Sequence, residues 1–204
     1  MNIESNYRQA LSTRIQKIAQ IPESEAAEFV RLFSLKKLAE KQHLLRAGDA
    51  ARDAAFIATG AVREYFTDYS GNDFNKNFAF AGEFTGSYYD LLSGKPSIAS
   101  IETLTVTELL IAPFYHVAKF YERSAEWQRV ARVTAENLFL KKARREYEFI
   151  IMTAEERYRQ FIAENAAMLD KIPQYHLASY LGITPVALSR IRKRVEKSLI
   201  INPG

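Results

Sequence analysis

The 204-residue chain contains no cysteine, which excludes disulfides, thiolate zinc sites and iron–sulfur clusters held by cysteine. That absence fits a reducing cytoplasm, where the protein is expected to work. Long hydrophobic runs are missing as well: nothing approaches the roughly 18 apolar residues of a membrane span. Met1–Gln20 carries charge throughout, unlike a signal peptide. Neither a membrane partner nor a cofactor is therefore expected. Histidine is scarce, and His43, His116 and His176 show no H-x-H or H-x-x-x-H spacing. A metal-dependent sandwich barrel needs several such ligands converging inside it. No Ser-His-Asp order, phosphate-binding glycine loop or catalytic carboxylate pair stands out, so the chain is not read as an enzyme.

What is present is an ordinary globular composition, 48% hydrophobic and 25% charged, with an uneven charge distribution. Residues 1–170 hold 22 Lys/Arg against 23 Asp/Glu, whereas residues 171–204 hold six against one. The whole excess of +4 therefore sits at the carboxy-terminal end. That end has its own pattern in Gln174–Lys193. Pro173 suits a helix start, and Leu177, Ala178 and Leu181 make one apolar stripe. Gly182 follows where positive φ would end the helix. Thr184 can cap a second helix, with Pro185 in its first turn. Ala187, Leu188, Ile191 and Val195 share one face of that helix; Val186, Ser189, Arg190, Lys193 and Lys197 share the other. A small residue, a glycine corner and an apolar pair are what a helix-turn-helix requires. A cationic ridge on its second helix suits the major groove of double-stranded DNA.

Earlier in the chain, residues 4–19 read as a helix, Ser24 as the cap of a short second one, and Phe29, Val30 and Phe33 as its apolar face. From Ser34 the period shortens. Runs at Gln42–Arg46, Ala54–Ala58, Val62–Thr67, Phe74–Phe80, Ser100–Leu104 and Glu108–Ala112 alternate with turn signals, which predicts an antiparallel sandwich or barrel. After Pro113 the pattern is helical. Ser124 can cap a long helix to about Met152 with two apolar stripes. The first is Trp127, Val130, Ala131, Thr134 and Leu138; the second is Ala135, Phe139, Ala143, Tyr147 and Ile150. One can rest on the β domain while the other meets a second copy across a two-fold, and the first is assigned to the dimer helix. Thr153–Glu156 is a capping box opening a helix over 154–169, with Tyr158, Phe161, Ile162 and Leu169 inward. Ser198–Ile201 reads as one strand.

Sandwich, long helix, hinge and helix-turn-helix, in this order, resemble the Crp–Fnr family of bacterial transcription regulators. LASYLGITPVALSRIRK carries the likeness in the carboxy-terminal part; Gly48, Gly60, Gly71, Gly82-Glu83-Phe84, Gly86 and Gly94 carry it in the β domain. The resemblance implies an α+β protein: an antiparallel β-roll (jelly roll, double-stranded β-helix) with flanking helices over 1–123, a dimerisation helix over 124–152 and a helix-turn-helix domain over 153–204. It implies a homodimer that binds DNA, an unidentified small-molecule effector in the β-roll, and RNA polymerase as a further candidate partner. The alternative is a β-roll small-molecule sensor whose helical tail binds protein.

Two departures from that family stand out. Members that bind cyclic nucleotides place a glutamate on the ribose and an arginine on the cyclic phosphate; Ser87 and Ser97 stand at those positions here, with Lys95 two residues off. Two hydroxyls cannot replace a guanidinium fork, so the effector is not expected to be cyclic AMP bound in the usual way. Phe84, Gly86, Ser87, Tyr88, Tyr89, Ser97 and Ile98 are the candidate pocket residues for a less charged ligand. On the recognition helix, Pro185 and Val186 replace the Arg and Glu that many members carry. Arg190 is the first choice for a base contact and Ser189 the second. Thr184, Pro185 and Val186 lie at the helix start, and Arg192, Lys193 and Arg194 are expected on phosphates.

Overall fold

The computed structural model describes residues 2–201, with side chains as far as Lys197. Two helices, α1 (Ile3–Gln16) and α2 (Glu23–Arg31), precede the strands. The expected Ser24 cap is not used: α2 starts two residues earlier than that cap implies, behind Pro22, whose fixed φ suits a helix start. The strands are β1 (Ser34–Leu38), β2 (His43–Leu45), β3 (Asp53–Thr59), β4 (Ala61–Thr67), β5 (Asp73–Phe80), β6 (Phe84–Thr85), β7 (Ser100–Thr103) and β8 (Thr107–Pro113). They form two four-stranded sheets, ordered β1-β8-β3-β6 and β2-β7-β4-β5. The pairs β1–β8, β3–β8, β3–β6 and β2–β7 are antiparallel. The chain is thus a mixed helix and antiparallel-sheet protein, as expected. Strands β1 and β6 were not among the predicted runs. In β1 only Leu38 is buried, and Lys36 and Lys37 mark it as a charged strand at the end of its sheet.

Ile57, Val62, Ile101 and Leu109 are buried together in a core cluster of the β-roll, while Phe56 and Leu110, the neighbours of Ile57 and Leu109 on the opposite face, are buried in a second cluster. The β3–β4 corner needs glycine. Gly60 has φ +93°, and a Cβ there would lie 2.5 Å from Thr107 Oγ1 and 2.7 Å from the Val106 carbonyl oxygen. Between β6 and β7 lies α3 (Tyr88–Ser93), and after β8 come α4 (Phe114–Tyr121) and α5 (Ala125–Ile151). A second core packs Phe29, Phe33, Phe120 and Trp127; the Trp127 ring lies 5.0 Å from Phe29 and 4.9 Å from Phe120. The Trp127 indole N–H donates to Glu25 at 2.6 Å. Trp127 and Val130 are therefore not available to a second copy, contrary to their assignment to the dimer helix. Their stripe is the one that rests on the chain's own core; Ala131, Thr134 and Leu138 are half-buried on the same side.

Contacts divide the chain into two units, one of Met1–Glu64 with Phe78–Leu140 and one of Tyr65–Asn77 with Lys141–Gly204. In the second unit Thr153 caps α6 (Ala154–Asn165) through a capping box with Glu156. A 3₁₀ segment, Ala166–Lys171, replaces the expected last helical turns. Then come α7 (Gln174–Leu181) and α8 (Pro185–Ile201). Ser198–Ile201, expected as a strand, continues α8 instead. A short apolar run does not distinguish the two states by periodicity, and a helix already under way extends more readily than a lone strand pairs. Asn202–Gly204 lie outside the described residues.

Candidate nucleic-acid interface and ligand pocket

The helix-turn-helix is assembled from local signals. Gly182 sits at φ +70°, and a Cβ there would approach Phe149 to 2.8 Å. Its N–H donates to the Ser179 carbonyl, and the next N–H, of Ile183, reaches back to Ala178 at 3.0 Å, closing α7. Thr184 caps α8, its Oγ1 accepting from the Ala187 N–H at 3.2 Å. Leu177, Ala178, Leu181, Leu188, Ile191 and Val195 are buried, joined by Tyr158 and Phe161 from α6. Burial of these side chains leaves the other face of α8 outward.

On that face Thr184, Pro185, Val186, Ser189, Arg190, Lys193 and Arg194 are exposed, Val186 at 62%. The cations differ in how they are held. Arg194 donates to Glu155 at 3.0 Å, and Arg192 is half-buried with Glu196 at 3.9 Å. Among the described residues neither Arg190 nor Lys193 has a carboxylate partner. Two arginines expected on phosphates thus already hold carboxylates: the i, i+4 spacing of Arg192 and Glu196 is legible in the sequence, the pairing of Arg194 with Glu155 is not.

The second unit also contains a contact with no sequence signal. The tip of the β4–β5 hairpin lies against α7: the Asn75 N–H donates to Ser179 Oγ at 3.0 Å, and Ser179 donates to the Asp73 carbonyl at 3.0 Å. The Asn75 side-chain amide lies 3.2 Å from the ring and carbonyl of His176, which is buried. Arg145 donates to the Tyr180 carbonyl at 2.8 Å while its guanidinium covers the Tyr180 ring at 3.9 Å. Burial lowers the Arg145 pKa from its usual range, opposed by the Tyr180 contact.

In the first unit the candidate pocket residues separate. Ser87 and Ser97 are buried, and both hydroxyls donate to one carboxylate oxygen of Asp90, Ser97 at 2.8 Å. Asp90 itself is 1% exposed, and among the described residues its second oxygen has no hydrogen-bond partner. The single Ser97 Oγ proton is shared between Asp90 and the Ala99 carbonyl, each at 2.8 Å. The positions implied for sugar and phosphate recognition are therefore committed to a buried acid within the chain. Tyr89, Ile98 and Lys95 are exposed. Phe84, Gly86 and Tyr88 do meet, at a cavity of about 110 Å³ outside the sheet-to-sheet core. Leu91, Tyr121, Thr134 and Leu138 share its lining. Burial pushes the Tyr121 hydroxyl up to about 12, with Tyr88 adding to the shift. Asp90 and Tyr121 were missed by sequence reasoning; the Ser-x-x-Asp spacing of Ser87 and Asp90 is the signal available for the first.

Residues 35–124 match the cyclic nucleotide-binding domain family. The fumarate and nitrate reduction regulatory protein of Vibrio cholerae is 24% identical over 200 residues, covering 88% of this chain and 76% of that protein. Among solved structures, FixK2 from Bradyrhizobium japonicum superposes with a TM-score of 0.71 at 19% identity, covering 81% of this chain and 85% of that one. The Thermus thermophilus catabolite activator protein gives 0.57 at 19% identity, covering 91% and 87%. Residues 35–124 are thus similar to cyclic nucleotide-binding domains, and the chain shares its fold with FixK2 and the catabolite activator protein.

Proposed function

We propose that the chain is a homodimeric, DNA-binding transcription regulator whose effector is not cyclic AMP held by the usual cassette. The observation that carries the reading is the outward face of α8, where Val186, Ser189, Arg190 and Lys193 stand exposed on a helix-turn-helix core. Arg190 is the base-reading side chain, and its fork fits guanine O6 and N7. Lys193 holds a phosphate, and Val186 offers only apolar contact, as to a thymine methyl. The dimer forms through the second stripe of α5, where Phe139, Tyr147 and Ile150 are 68%, 58% and 71% exposed. An apolar helical face of this kind is what a parallel partner helix would cover. Ser87 and Ser97 support the effector reading, because their hydroxyls serve Asp90 and supply no cation for a cyclic phosphate. RNA polymerase is a candidate partner through the resemblance alone.

Selection of bound fragments from genomic DNA by the purified protein tests the reading. The expected result is an enriched sequence with two-fold symmetry, whose half-sites lie about 34–36 Å apart or a multiple of that. Recovery of no enriched sequence would remove the DNA assignment. Sedimentation of Ile150→Asp against wild type tests the dimer, which the added charge should dissociate.

A further inference from the structure

We propose that the cavity beside α5 is a binding site for a small uncharged molecule. The ligand is about one aromatic ring in size and carries at most one hydroxyl or carbonyl. As a binding site it stands on the cavity alone; as an effector site it rests on the regulator reading above.

The size follows from the volume of about 110 Å³. An apolar cavity of roughly 150 Å³ accommodates benzene. The class follows from the walls. Every lining residue is uncharged, and Phe84, Leu91, Val117 and Leu138 are among them. An anion placed there would be stripped of water with no cation to meet it, which strongly disfavours a cyclic nucleotide at this position. Thr134 is spent, its Oγ1 donating to the Val130 carbonyl at 2.7 Å. Tyr88 and Tyr121 also line the cavity, and among the described residues neither hydroxyl has a hydrogen-bond partner. They can serve one polar atom of a ligand, and burial keeps both neutral.

The cavity differs from the family's nucleotide cassette in what borders it. Asp90 and its two serines are absent from the lining, whereas Val130, Thr134 and Leu138 present successive turns of α5 to it. A ligand bound here would touch that helix directly. It could then favour whichever state of the helix fits it better.

The chain's single tryptophan reports on the site, because Trp127 stacks on Phe29 at 5.0 Å and Phe29 lines the cavity. The test titrates the full-length protein with toluene and with p-cresol, using benzoate and cyclic AMP as charged comparators. Toluene and p-cresol should change Trp127 emission saturably, one molecule per chain. Each should raise the melting temperature by about 3–5 °C at ten times its Kd. Benzoate and cyclic AMP should do neither at this site. Ala54→Leu and Leu138→Phe fill the space and should weaken toluene at least tenfold. Tyr121→Phe should weaken p-cresol and leave toluene unchanged. An unsaturable toluene response, equal binding of benzoate, or an undiminished response in either folded filling variant would overturn the proposal. The wild-type contrast of toluene with benzoate decides it even where a filling variant fails to fold. DNA binding measured on the same samples separates the two readings: saturable toluene binding without DNA binding sinks only the regulator reading, and the reverse sinks only this one.

Discussion

The buried acid of the β-roll and the exposed cations of α8 handle charge in opposite ways. Asp90 is closed off, 1% exposed, and served by Ser87 and Ser97 from its own chain. Arg190 and Lys193 are open, exposed and without a carboxylate among the described residues. A buried polar group needs partners where it stands, and Asp90 finds two for one of its oxygens. An exposed one costs little to leave unpaired, since water solvates it until a polyanion arrives. The position that the resemblance gives to a ligand's charge is thus occupied from within, while the α8 face proposed to meet DNA is left unfilled. On the proposed reading, competence for a charged partner is concentrated on one helix.

Salt should expose that contrast most strongly. If six to ten phosphates are neutralised per dimer, DNA affinity should drop roughly 10³–10⁵-fold between 50 and 200 mM salt. Toluene binding at the apolar cavity should hardly change. Titration of both ligands across that range measures it, and a flat DNA curve would turn attention to a protein partner for α8. Arg190→Ala comes next. It should cost about 1–3 kcal/mol at one base position and relax selectivity there, whereas Lys193→Ala should weaken all sequences alike and reduce the salt slope by about 1. Competition binding against single-base variants of the selected site separates the two patterns.

An intermediate effect tests the closed side. The Tyr121 hydroxyl is pushed up to about 12 by burial, from an ordinary value near 10. A raised folded pKa contributes stability that is fully present below the unfolded value and is lost as pH rises through the folded one. Between about pH 10 and 12 the unfolded chain ionises while the folded chain does not, so stability should fall. At about pH 11 the loss from this one group is of order 1 kcal/mol. Urea midpoints at pH 9 and 11 should show a smaller alkaline loss in Tyr121→Phe than in wild type. Tyr88, Tyr158 and Tyr180 shift upward for the same main reason and leave a residual slope.

How legible these features were in the sequence follows from their range. The helix-turn-helix is written locally: Gly182 must be left-handed, Thr184 must accept from an N–H three residues on, and the apolar stripe has helical spacing. The β-roll was legible through its turns, although β1 hid behind Lys36 and Lys37 because an end strand buries too little to alternate. The two stripes of α5 could be counted but not assigned. Periodicity says that a face is apolar, and only the fold says that Trp127 meets Phe29 while Phe139 meets water. The Ser87–Asp90–Ser97 network needs a loop to close over seven residues beyond Asp90, which no local pattern announces. Within α8, Arg190 and Arg194 look alike in sequence; a carboxylate 39 residues away separates them.

That last pair gives the smallest expected effect and the finest test of the contrast. Arg194 is exposed like Arg190, yet it donates to Glu155 at 3.0 Å, and Glu155 also accepts from Arg159 at 2.9 Å. Hydrogen bonds from Arg159 and then Arg194 hold the Glu155 carboxyl below the usual range. Its contribution to stability is present above the unfolded pKa and is lost only as pH falls through the lowered folded one, so the pair is intact at neutral pH. Arg194→Ala should therefore weaken DNA binding less than Lys193→Ala, because a shared guanidinium has less charge to offer a phosphate. Glu155→Gln should release Arg194, raise affinity a few-fold at low salt and steepen the salt slope by at most about 1. Comparison of these slopes on one selected site measures how much of the cationic face is open; identical slopes for Glu155→Gln and wild type would mean that Arg194 takes no part in the complex.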